Sequence, residues 1–213
     1  MKRAFKYDNQ VFQVISTIFD CFVLGVLWIV TSLPIFTIGA SSAALYYTIN
    51  KTLKNNKGYV FNTYLEAFKS NFKQATLTWL IYLVLFAFLL VDLALFKNSL
   101  GQESNLGAMY YFFLIIFGVI LAWVFYLFPY ISRFECGFRE AMFKSFAFMI
   151  SNIGWSVLLV VIAYALFYIC NDLQFLFLLL PGGFGYIQSI ILEKIFNKYR
   201  SAEDILREKN IEN

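Results

Sequence analysis

Histidine is absent from the 213-residue chain, and cysteine and proline occur only 3 times each. The missing imidazole removes the usual base of a nucleophilic triad, the H-E-x-x-H zinc motif and haem ligation by histidine. Cys21, Cys136 and Cys170 are odd in number and show no C-x-x-C spacing. They form neither a disulfide framework nor a metal cluster, and thiols set in apolar runs behave as small hydrophobes. G-x-x-x-x-G-K-[ST] does not occur, so the chain lacks the P-loop means of using ATP. No cofactor, metal or catalytic residue is expected, and the reading is of a protein that is not an enzyme.

Charge is scarce too, at 14% of residues, whereas 61% are apolar and 21% aromatic. One soluble core cannot hide so much apolar surface, but lipid accepts it on every outward face. The net charge of +4 does not indicate nucleic acid, because the basic residues flank apolar segments and form no stripe. The expected class is an all-α, polytopic membrane bundle, with the lipid bilayer as its first partner.

A spanning helix needs about 20 apolar residues, and on that measure six spans are expected, at 13–33, 35–50, 76–96, 108–132, 154–171 and 174–192. The second and the last two are short, so five crossings with a re-entrant piece is the competing count. Placing both termini inside puts every one of the 17 basic residues except Lys97 on the cytoplasmic side, as the positive-inside rule requires. Residues 1–192 then form one transmembrane domain, and 193–213 a charged cytoplasmic tail. Phe61, Leu65, Phe68 and Phe72 recur at helical spacing among Glu66, Lys69 and Lys73, predicting an amphipathic helix in the inner interface. A second such helix is expected at 138–151. Each precedes an outward span, which gives a loose internal repeat, with Phe68-Lys-Ser-Asn-Phe72 in one unit and Phe148-Met-Ile-Ser-Asn-Ile153 in the other.

Three places invite a functional reading. Asp20 lies about 14 residues, or ~21 Å of helix, from the turn at Pro34, within the inner half of the membrane. It is either a functional carboxylate or one satisfied by Arg133, a loop lysine or a tyrosine. Pro181, Gly182, Gly183 and Gly185 interrupt the last expected span, as an unwound segment bordering a binding site or as a packed kink. Gly39/Ala43 and Ala40/Ala44 are four-residue pairs of small side chains that let the second span approach its neighbours closely. The same patch, after Lys2, Arg3 and an apolar run, mimics a signal-peptide cleavage site, but Asp20 interrupts the apolar approach and a retained span is expected.

SLPIFTIGASSAALYY at 32–47, GYVFNTYLEAFKSNFKQATLTWL at 58–80 and FPYISRFECGFREAMFKSFAFMISNIGW at 128–155 carry a family likeness. The chain resembles the YesL family, small bacterial membrane proteins of unknown function. The resemblance implies a multi-pass protein of the bacterial cell membrane. Family genes tend to lie beside those for carbohydrate ABC transporters and secreted glycan-degrading enzymes, which implies a role near oligosaccharide uptake and a permease subunit as partner. The family supplies no catalytic residues. An accessory subunit of such an importer is the leading expectation, with an independent small transporter or channel as the alternative.

Overall fold

In lipid the backbone satisfies its polar groups as an α-helix or a closed barrel, and long continuous apolar stretches rich in Leu, Phe and Ala, without the alternation of barrel strands, select the helix. The computed structural model describes residues 2–55, 58–97, 105–134, 136–172 and 174–199, and side-chain surroundings within 14–55, 58–97, 107–134, 136–170 and 176–199. Lys57, most of the 97–107 connection and the tail beyond Tyr199, with Arg200, Arg207 and Lys209, lie outside the described residues. The helices are α1 (Lys2–Ser32), α2 (Ile38–Thr48), α3 (Val60–Lys97), α4 (Asn105–Arg133), α5 (Phe138–Ser151), α6 (Ile153–Asp172) and α7 (Leu180–Lys198). Short 3-10 turns at Ile35–Thr37 and Gln174–Leu178 lead into α2 and α7, and α2 ends in a π-helical turn at Ile49–Lys54. Pro34 separates α1 from α2, and Gly58, at φ 84°, supplies the left-handed residue before α3.

Among the described residues four helices are long and apolar enough to cross a membrane: Val14–Ser32, Val60–Lys97, Gly107–Arg133 and Ile153–Cys170. The spans expected at 35–50 and 174–192 are not among them. The first is α2 with its π turn, about 25 Å of helix, and it is buried by protein: Gly39, Ala40, Ser41, Ala43, Ala44, Leu45, Tyr46 and Thr48 are all covered. A helix enclosed by its own chain needs neither the length nor the hydropathy of one facing lipid.

The small side chains of α2 bring its neighbours to backbone distance. A Cβ on Gly39 would stand 2.6 Å from the Ala75 carbonyl oxygen and 2.7 Å from both Trp79 Cβ and Phe128 Cε1. Polar groups on α2 are satisfied locally: Ser41 Oγ donates to Thr37 O at 3.1 Å and Thr48 Oγ1 to Ala44 O at 2.7 Å. The Trp79 indole donates to Ile35 O at 2.7 Å and the Trp28 indole to Ser42 Oγ at 3.2 Å. These bonds fasten α3 and α1 to the start of α2.

The inner amphipathic segment at 61–73 and the span at 76–96 are one continuous helix, α3, of 38 residues. It is about 57 Å long, nearly twice the ~30 Å hydrocarbon core. By contrast α5 stops at Asn152 and α6 begins at Ile153.

Pro181 does not break a helix. It sits in the first turn of α7, where its missing N–H costs nothing. Gly182 and Gly25 form the crossing of α7 with α1: a Cβ on Gly182 would lie 2.0 Å from Cys21 O, and one on Gly25 1.8 Å from Leu178 O. Gly185 faces Ile49 and Leu45, while Gly183 meets nothing within 4 Å. The glycine run thus lies in a regular helix, with Gly182 at a backbone-to-backbone contact. Tyrosines also enter the core: Tyr46, Tyr64, Tyr82 and Tyr126 are fully buried. Each finds a partner for its hydroxyl, as Tyr64 does at 2.7 Å from Thr31 Oγ1 and Tyr126 at 3.1 Å from Ser156 Oγ.

Candidate functional site

Pro129 lies inside α4. Lacking an N–H, it leaves the carbonyl of Phe125, four residues earlier, without its helical donor. Gln188 of α7, itself buried, supplies the replacement, its Nε2 donating to Phe125 O at 2.6 Å. This bond sets the register of α7 against α4, and Phe125 and Phe184 pack beside it with ring centroids 4.9 Å apart. Further along α7 the same register delivers Glu193 to Arg133.

Arg133 Nη1 donates to Glu193 Oε1, and the two side chains are only 17% and 18% exposed. Tyr46 of α2 donates its hydroxyl to the same carboxylate oxygen at 3.0 Å. Arg133 Nη2 reaches Asn197 Oδ1 at 3.4 Å, and the guanidinium lies 5.7 Å from the centre of the Phe134 ring. Asn50, one turn beyond Tyr46, donates its side-chain amide to Tyr46 O at 3.2 Å. The cluster therefore joins α2, α4 and α7 through one carboxylate that accepts from a cation and a phenol. Charges partly shielded from water are costly singly and are stabilised as a hydrogen-bonded set.

Lys54, at the end of the π turn, feels this cluster. Burial pulls its ammonium down from 10.5 to about 8, with Glu193 working against the shift and Arg133 adding to it. In the loop after α4, burial raises the Cys136 thiol to about 11, helped by Glu140 and opposed by Lys144. At neutral pH this thiol is protonated, hence a poor nucleophile.

The structure does not bring Asp20 and Arg133 together. Arg133 takes its carboxylate from Glu193, the first residue of the segment expected to be a cytoplasmic tail. Helix α7 instead carries the bundle on to Lys198, with Ile195 and Phe196 buried in the core. Asp20 sits beside Cys21 at the α1–α7 crossing, partly exposed, with no hydrogen bond or ion pair among the described residues. Gly39, Ala40, Ala43 and Ala44 lie in the core and Pro181 to Gly185 on α7, and neither group lines the charged cluster. No group of three or more Cys, Asp or Glu able to hold a metal occurs among the described residues.

Sequence reasoning missed Glu193, Gln188, Tyr46 and Gly25. Pro129 was the available signal for Gln188, since an internal proline demands a donor for the carbonyl four residues back, but it cannot say which helix provides it.

Fold and site together define an all-helical membrane protein. Residues 21–93, from α1 into α3, match the family model described as "Protein of unknown function, DUF624", consistent with the YesL resemblance. The match covers the first two blocks that carry that likeness and stops short of the third. No curated protein and no solved structure matches the chain.

Proposed function

We propose that the protein is a non-enzymatic accessory subunit in the bacterial cell membrane that docks on a permease subunit of an oligosaccharide ABC importer. The observation that carries this reading is the division of the molecule's surfaces. The small-residue helix α2 is used up within the chain, so it offers nothing to a partner. Exposed aromatic and basic groups project instead at Tyr59, from the inner half of α3 at Phe61, Phe72, Lys69 and Lys73, and from α5 at Phe138 and Phe143. Exposed aromatic side chains of this kind anchor protein contacts. The sugar importer as partner rests on the family resemblance alone. Tagged full-length protein, extracted in mild detergent from a host carrying the neighbouring permease genes, is expected to bring down the permease. Recovery of none from membranes that contain it sinks the proposal.

One observation favours a second reading, a small independent transporter. A carboxylate within an apolar helix is expensive unless it serves a purpose, and Asp20 has no partner among the described residues. Liposomes containing only this protein would then show solute flux that Asp20→Asn abolishes; flux indifferent to that change removes Asp20 from any mechanism.

A further inference from the structure

Between α4 and α5 lies a groove of about 360 Å³ lined by Trp123, Phe138, Arg139, Met142, Phe143 and Phe146. Every lining residue except Arg139 is apolar or aromatic. Trp123 has spent its indole N–H inward, on Ser145 Oγ at 3.0 Å, so what it turns to the groove is ring surface. Phe143 is 76% exposed, an extreme value for phenylalanine on a surface that meets only water.

The charges around the groove are unequal. Glu140, the acid nearest in sequence, is taken by Lys144 in an ion pair of 2.6 Å one turn along α5. Arg139 is exposed and has no acidic partner among the described residues. A guanidinium without an acidic partner among the described residues, at the edge of an apolar groove on helices set in a bilayer, matches one ligand in both halves. Its planar fork suits a phosphate, and basic pockets between membrane helices take anionic headgroups. We propose that this groove binds an anionic phospholipid, one acyl chain lying along Trp123, Met142, Phe143 and Phe146 and its phosphate on Arg139. A zwitterionic lipid fits the apolar part equally well but carries no net charge to match the guanidinium. This proposal does not depend on the importer reading.

Trp123 provides the probe, because bromine on an acyl chain quenches indole fluorescence on contact. The purified full-length protein in detergent is titrated with brominated phosphatidylglycerol or with phosphatidylcholine bearing the same chains, and Trp123→Phe identifies the Trp123 share of the signal. Phosphatidylglycerol is expected to quench that share at lower concentration than phosphatidylcholine. Arg139→Gln is expected to raise the half-quenching concentration for phosphatidylglycerol about fivefold, to leave phosphatidylcholine unchanged, and Arg139→Lys to retain most of the preference. Thermal stabilisation by the unbrominated lipids, compared between wild type and Arg139→Gln, gives the same test without altering Trp123. Equal response to both lipids, or indifference to Arg139→Gln, overturns the proposal. So does a Trp123 signal that neither lipid quenches.

Discussion

Helix α3 and the α5–α6 pair begin from the same pattern, an amphipathic segment running into an apolar span, and end differently. Both have Ser-Asn near the junction, and in both the asparagine side chain donates to the carbonyl four residues back. Asn71 reaches Ala67 O at 3.0 Å, and Asn152 reaches Phe148 O at 3.0 Å. Yet α3 continues past Asn71, whereas Asn152 leaves the helical region at φ −129° and ψ 46°. The difference lies in the residues just beyond each asparagine and in the helices packed alongside. After Asn152 comes Gly154, a poor helix former, and Ser156, whose hydroxyl lies 3.1 Å from Asn152 O and 2.9 Å from Met149 O. Along α3, Tyr64, Ala67, Ala75 and Thr78 are buried on both sides of the junction, against α2 and its neighbours. The asparagine bond is common to both, so packing and the residues beyond it decide whether the helix runs on.

The largest effect on this pair should come from removing the surface that α3 packs against. Gly39→Val would drive a side chain into Ala75, Trp79 and Phe128 and is expected to cost about 3 kcal/mol or more, read as a collapse of the thermal transition in detergent. Next, Ser156→Ala removes the donor to the buried Tyr126 hydroxyl and should cost about 1–2 kcal/mol; an unchanged transition would mean the start of α6 is not anchored on α4 through this contact. Gly154→Ala has open space for its methyl and should stabilise the first turn of α6 by about 0.5–1 kcal/mol, since propensity there is unopposed by packing.

A pH-dependent effect belongs to Lys54, beside α3 at the end of the π turn. With a folded pKa of about 8 against 10.5 unfolded, the unfolded chain binds the extra proton between those values. The burial penalty on the charged amine is therefore fully present below pH 8 and is relieved as the pH rises toward 10.5. Lys54→Met should flatten the rise in stability across that window, measured as unfolding temperature against pH.

Much of this architecture was legible in the sequence because lipid imposes long apolar runs. Helix α5 occupies the expected 138–151, and the cores of α1, α3, α4 and α6 fall where the apolar runs lie. What escaped was set by contact between distant segments. Arg133 is visible as a charge at the end of a span, but its partner lies 60 residues on, in a segment whose charges resemble a solvated tail. Gly25 is an unremarked glycine until α7 is laid across it. The continuity of α3 escaped for the same reason, because the same Ser-Asn junction ends α5 where expected but is run through by α3.

Arg133 and Glu193 act as one half-buried unit locking α4 to α7, and through Tyr46 to α2. A double-mutant cycle of Arg133→Met and Glu193→Leu, followed by thermal or denaturant unfolding in mild detergent, tests it most directly. Each single change should cost more than the ~1 kcal/mol of an exposed ion pair by leaving the opposite charge without this partner, and the double variant should recover most of that loss. Losses that simply add, or single variants as stable as the wild type, would contradict the account.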